Sequence, residues 1–203
     1  MKSKRIIEGF ILAGGASSRM GADKAHLRLG GLTLVERAAR ALNAVASEVR
    51  VVSSKPDASA WELPVVADVY ERAGALGGLH AALAHARAEW IAVAPCDLPF
   101  LTGELFSRLV SHASEEFDAV VPVQEDGRVQ PLCALYARRA CLDVAARLLD
   151  AGERRPRALL GEVRTRLVAF ESLADLDGAG LFFKNVNTPD DFEDAARAVD
   201  SES

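Results

Sequence analysis

Leu12-Ala13-Gly14-Gly15-Ala16-Ser17-Ser18-Arg19-Met20-Gly21-Ala22-Asp23-Lys24 follows directly on the apolar run Gly9-Phe10-Ile11-Leu12. A buried strand that ends in a glycine-rich loop with one arginine and one lysine is built to hold phosphate. Gly14 and Gly15 lack a Cβ, so backbone N–H groups can approach an anion closely. Arg19 adds a planar fork of donors and Lys24 a point charge. The loop has neither the Gly-Lys-Ser/Thr of a Walker loop nor the Gly-x-Gly-x-x-Gly of a dinucleotide fingerprint. Its place just past a buried strand is where open α/β sheets put their ligands.

Outward from this loop, apolar runs alternate with helical patterns. Strands are expected at 6–13, 49–53, 65–67, 90–94, 119–123, 132–136, 167–170 and 182–186, and helices at 34–46, 76–88, 141–149, 156–160 and 189–199. A further helix should run from a Thr102 cap through Leu105, Leu109 and Val110. Thr33 with Glu36 forms a capping-box pattern ahead of the first helix. The alternation implies an α/β fold: a three-layer, mostly parallel, twisted Rossmann-like sheet. The polar stretch 124–130, with Asp126-Gly127, departs from it and adds antiparallel strands. One domain should span 1–203, with only the tail 200–203 frayed.

The charge balance, 24 basic against 29 acidic residues for a net of −5, excludes a broad nucleic-acid footprint. The basic start and the apolar run after it resemble a signal peptide, but Glu8 interrupts the run and the glycine loop stands where a cleavage site would. No segment approaches the ~20 apolar residues of a membrane helix. Cys96, Cys133 and Cys141 show no metal or disulfide spacing, which suits a reducing cytoplasm.

Three more segments carry candidate chemistry. Pro95-Cys96-Asp97-Leu98-Pro99-Phe100 closes the 90–94 strand, and the Asp97 carboxylate suits Mg²⁺, which takes one or two carboxylates plus waters and substrate phosphates. Asp68 ends the 65–67 strand at the same edge, where an ordinary turn aspartate is the competing reading. In the stretch 70–79, Gly74, Gly77 and Gly78 serve ligand approach or helix packing equally well. Asn185-Val186-Asn187-Thr188-Pro189 starts a helix at Thr188, and its two asparagines, two apart, share one face of a strand. They could read a polar heterocycle or assist the metal. No histidine pair has metal-ligand spacing, and no serine or cysteine stands in a nucleophile elbow.

Residues 12–24, 74–79, 95–100 and 185–192, in this order, resemble the molybdenum cofactor guanylyltransferase family; so does Gln130-Pro131-Leu132-Cys133-Ala134-Leu135-Tyr136. The resemblance runs from Gly9 to Phe192 and implies a small nucleotidyltransferase. Such an enzyme transfers GMP from GTP to molybdopterin with Mg²⁺ and releases pyrophosphate. It implies that Leu12, Ala13, Gly14, Gly15, Lys24, Ser53, Asp68 and Asp97 hold GTP, with Asp97 on the metal and Arg19, Lys24 and Asp97 in catalysis. Gly78, Asn185 and Asn187 would lie on the pterin side. Ser53 stands where the family often has asparagine, and the loop from Met20 to Lys24 is one residue tighter than in some relatives. The cytidine-specific relatives usually carry alanine at the position of Gly14, which favours guanine. The same pattern leaves open a molybdopterin cytidylyltransferase, a guanylyltransferase for another phosphorylated small molecule, and a non-catalytic nucleotide-binding or cofactor-carrier module. Transient contact with other molybdenum cofactor proteins or acceptor enzymes is a further implication, with no nucleic acid or membrane partner.

Overall fold

The computed structural model describes residues 5–13, 26–53 and 61–201. Its centre is β1, Ile7–Leu12, with all six residues buried. Strand β2 (Arg28–Leu29) and β3 (Leu32–Thr33) form a small hairpin ahead of α1, Leu34–Leu42. Then follow β4 (Val49–Ser53), β5 (Val65–Ala67), α2 (Gly74–His85), β6 (Trp90–Pro95) and α3 (Gly103–Ser111). The second half contains β7 (Ala119–Pro122), β8 (Ala134–Ala137), α4 (Arg138–Asp150), α5 (Pro156–Leu160), β9 (Thr165–Val168) and α6 (Pro189–Ser201).

The main sheet has the order β5-β4-β1-β6-β8-β7-β9. Strands β5, β4, β1 and β6 are parallel neighbours, β8 runs antiparallel to both β6 and β7, and β9 is parallel to β7. Alternation along β1 feeds two cores. Ile7 and Ile11 pack with Val35, Leu42, Leu105 and Phe106 of α1 and α3. Phe10 and Leu12 pack with Leu76, Leu79 and Leu83 of α2 and Cys141, Ala145 and Leu149 of α4. A strand covered on both faces reads as an unbroken apolar run, which is why three layers were legible there.

Glu8 is the exception on β1, at 7% exposure. One of its oxygens lies 3.3 Å from Arg50 Nη2, and the other accepts from the backbone N–H of Arg87 at 2.9 Å. Arg50 also donates to the carbonyl of His85 at 2.8 Å. The buried charge is paired and hydrogen-bonded, as it must be, and it ties the end of α2 to the sheet edge opposite the loop.

Several expected elements differ. The 182–186 strand is absent: residues 181–183 form a turn, and 184–187 carry no regular secondary structure. Leu181 N–H closes that turn on Gly178 and Lys184 N–H on Leu181. The expected antiparallel content in the main sheet is one strand, β8, which begins at Ala134 rather than 132 because Cys133 N–H turns back to Gln130. Strand β9 ends at Val168, and Phe170–Ser172 is a 3-10 turn. Helix α6 continues through Ser201, so two residues of the expected frayed tail are helical. The β2–β3 hairpin was not expected. Its signal is Gly30-Gly31 between two leucines, with φ of 58° and 82° at the glycines as a two-residue hairpin turn requires.

Gly9 sets how closely α1 can lie on the sheet. A Cβ there would stand 3.0 Å from Val49 Cγ2, 3.2 Å from Ala46 Cβ and 3.3 Å from Leu42 Cβ. Gly9→Ala should therefore destabilise the fold by about 1–3 kcal/mol through overpacking. Urea unfolding measures this directly; an unchanged midpoint would show that α1 is not seated on Gly9.

Candidate active site

Parallel pairing brings four strand ends to one edge. Leu12 is in register with Val52 of β4 and Pro95 of β6, and Ser53 with Ala67 of β5. Ala13 N–H donates to Val52 O at 3.0 Å, and Cys96 N–H to Leu12 O at 3.3 Å. The candidates Asp68, Ser53, Leu12 with Ala13, and Asp97 thus leave successive strands in a row. From Asp68 to Asp97 is three strand spacings, about 14 Å. The loop residues Gly14, Gly15, Arg19 and Lys24 lie outside the described residues, so their expected roles carry forward as proposals. His26 follows that stretch, and its ring stacks on Trp61 with centroids 5.4 Å apart and an interplanar angle of 6°.

Asp97 is half-buried at the end of β6. Its carbonyl accepts from Val186 N–H at 2.9 Å, a bond that carries the C-terminal segment to the middle of the site. Val186 is fully buried with Leu29, Leu34, Phe100 and Ala195, while Asn185 and Asn187 on either side of it are exposed. Both asparagines are thus exposed on either side of a buried valine, without the expected strand. One backbone hydrogen bond and one buried valine hold the segment there. Thr188 Oγ1 accepts from Asp191 N–H, and Asp191 Oδ2 accepts from the N–H groups of Asn187 and Thr188, so the start of α6 holds Asn187 in place.

Around Asp68, burial pushes the carboxyl pKa above its ordinary value. The three glycines of the next segment separate in role. Gly74 has φ of 62° and meets Arg154, whose carbonyl also accepts from Leu76 N–H at 3.1 Å. A Cβ on Gly77 would come within 2.4 Å of Ala73 Cβ. Both glycines serve packing. Gly78 alone faces the row, and the nearest atom to its missing Cβ is Leu12 Cδ2 at 3.8 Å. That puts Gly78 beside the end of β1.

Sequence reasoning missed the turn that carries Glu153, Arg154 and Arg155. The Leu76–Arg154 bond sets it over the N-terminus of α2 at this same edge. Glu153 accepts from the Arg155 side chain and from two backbone N–H groups, which hold its pKa down to about 2. Its only sequence signal is a Gly-Glu-Arg-Arg run between two helices.

A half-buried carboxylate at a strand end fits a hard divalent ion such as Mg²⁺, which takes one or two carboxylates and completes its shell with waters and substrate phosphates. Among the described residues no three His, Cys, Asp or Glu side chains come together as a metal cluster. No described helix is long and apolar enough to cross a membrane.

Residues 9–167, which span this whole row of strand ends, match the MobA-like NTP transferase domain. The chain belongs to this family. As a MobA-like NTP transferase it is a nucleotidyltransferase. A molybdenum cofactor guanylyltransferase of Desulfosudis oleivorans is 33% identical over 195 residues, covering 95% of this chain and 96% of that one. A protein of Geobacillus sp., named probable molybdenum cofactor guanylyltransferase, is 32% identical over 192 residues, covering 92% and 96%. The crystal structure of molybdopterin-guanine dinucleotide biosynthesis protein A from Archaeoglobus fulgidus superposes with a TM-score of 0.82 at 26% identity, covering 96% of this chain and 99% of that one.

The glycine geometry gives a direct check on the division between packing and site. Gly77→Ala should lower stability by about 1–3 kcal/mol, whereas Gly78→Ala, with room for its Cβ inside α2, should leave stability unchanged or raise it by up to about 1 kcal/mol. Thermal unfolding of the two variants distinguishes them, and equal losses would contradict the assignment.

Proposed function

We propose that this nucleotidyltransferase moves the guanylyl group of GTP onto the phosphate of molybdopterin and releases pyrophosphate. The observation that carries the reading is the Val186–Asp97 backbone hydrogen bond, which sets the segment bearing the two asparagines against the end of β6, next to the row of strand ends. The names of the relatives at about one-third identity support it.

In this reading GTP lies along the row of strand ends. Its base and ribose lie between the Asp68 and Ser53 end and Leu12, Ala13 and Gly14, and its phosphates pass Gly15 and Gly78 toward Asp97. The terminal phosphate of molybdopterin is mostly dianionic at pH 7, because a phosphate monoester has its second pKa near ~6. It is already a nucleophile, so no side chain needs to take its proton. An acceptor oxygen bonds to the α-phosphorus of GTP, the bond from that phosphorus to the bridging oxygen breaks, and pyrophosphate leaves with the electron pair. Asp97 would hold Mg²⁺, which when bound offsets charge on the clustered phosphates. Lys24 and Arg19 stabilise the departing pyrophosphate through charge-assisted hydrogen bonds. Asn185 and Asn187 offer amide donors and acceptors to the acceptor side. The expected setting is the cytoplasm, with acceptor enzymes as transient partners.

Asp97→Asn keeps the side-chain shape and removes its charge. Guanylyl transfer should fall by roughly 100-fold or more, the scale of several kcal/mol of transition-state stabilisation, while the thermal midpoint stays near that of the parent. Near-normal turnover of this variant at ordinary Mg²⁺ would contradict the assignment.

A further inference from the structure

A cavity of about 420 Å³ opens at the C-terminal edge of the sheet, beyond Asp97 and on the side away from the nucleotide row. Gln124, Glu125 and Asp126 border it from the turn after β7, Phe170 from the turn after β9, and Phe183 with Lys184 from the segment that leads to Asn185. Strand β7 runs in the same direction as β6, since both are antiparallel to β8. The cavity therefore shares the catalytic edge. It lies two strand spacings from β6, about 10 Å.

Its lining is chemically selective. Two phenylalanines supply apolar surface for a flat ring. Asp126 is already engaged, by the side chain and backbone N–H of Arg128. Glu125 is exposed and, among the described residues, enters no hydrogen bond or ion pair. Gln124 Oε1 is buried with no hydrogen-bond partner, although the backbone of Gln124 is fully used within the turn. A free carboxylate and an unsatisfied amide oxygen together ask for a ligand edge that presents several N–H donors. At the other side of the cavity Lys184 Nζ stands 4.0 Å from Asp194, the outer limit of an ion pair, with its side chain 37% exposed. It precedes Asn185 and so stands on the Asp97 side.

We propose that this cavity receives the heterocycle of the acceptor, a 2-amino-4-oxopteridine, with Glu125 accepting from the ring N–H and the exocyclic amine. Gln124 Oε1 accepts from a further N–H of the same ring system, Phe170 and Phe183 flank its faces, and Lys184 meets the anionic chain that leads to the phosphate at Asp97. Asn185 and Asn187 then contact the linking portion of the acceptor rather than its pyrimidine edge. This assignment rests on the acceptor being a pterin, as the proposed reaction has it.

The test is fluorescence titration of the full-length chain with 6-hydroxymethylpterin in the presence of saturating GTP, which keeps the nucleotide site filled. The parent protein should bind the pterin. Glu125→Gln, which replaces one acceptor oxygen by a competing donor, and Phe183→Ala should each weaken that binding by roughly tenfold or more. GTP affinity should stay unchanged in both. Glu125 is exposed, so its variant folds normally and decides the matter if Phe183→Ala is unstable. No pterin binding by the parent, or binding that Glu125→Gln leaves untouched, overturns the assignment. Guanylyl transfer to molybdopterin, assayed alongside, separates the two readings. Transfer without Glu125-dependent binding refutes only the cavity, and Glu125-dependent binding without transfer refutes only the reaction.

Discussion

Strand β1 is paired in parallel on both sides, to β4 and to β6, and every other feature of the site depends on that arrangement. Parallel neighbours end at one edge, so a loop after β1, a serine at the end of β4 and aspartates after β5 and β6 become neighbours without any local sequence relation. The arrangement needs burial on both faces, which Ile7, Phe10, Ile11 and Leu12 supply, and close seating of α1, which Gly9 permits. Glu8 then places the one charge of β1 against the Arg50 guanidinium and the backbone N–H of Arg87 at the far end of the strand. Paired charge anchors the inactive edge, while Asp68 and Asp97 stand at the other.

The second constraint is a single hydrogen bond. Val186 N–H to Asp97 O brings a segment almost ninety residues later to the centre of the edge. A small core of Leu29, Leu34, Phe100, Val186 and Ala195 secures it, so the β2–β3 hairpin and α6 act as supports for the asparagines. Cooperation of this kind explains why the C-terminal helix belongs to the site although it holds none of the nucleotide-side candidates.

Much of this was legible in the sequence, for reasons that differ by element. The capping box at Thr33 and Glu36 and the Thr102 cap involve residues three apart, and both form. The strand at Val49–Ser53 lies between Glu48 and Ser54, that at Val65–Ala67 between Pro64 and Asp68, and both match in full. The apolar run Phe182, Phe183 and Val186 misled, because its burial comes from turns and one bridging bond rather than from a ladder. Gly74, Gly77 and Gly78 looked alike in sequence, since only the neighbours of an absent Cβ tell packing from open space. The cavity bounded by Glu125 and Lys184 could not be read at all. Its walls come from three segments whose proximity is a property of the sheet order.

The account predicts a site that orients phosphates and neutralises their charge, with the acceptor serving as its own nucleophile. Its central claim is the pairing of guanine nucleotide with pterin acceptor. The most direct measurement is pyrophosphate release by the full-length chain with GTP, ATP, CTP and UTP in turn, each with and without molybdopterin, at fixed Mg²⁺. Release with GTP that requires molybdopterin, with the other three nucleotides near background, is the predicted result. Release with CTP equal to or above that with GTP, or GTP turnover that does not depend on the pterin, would contradict it.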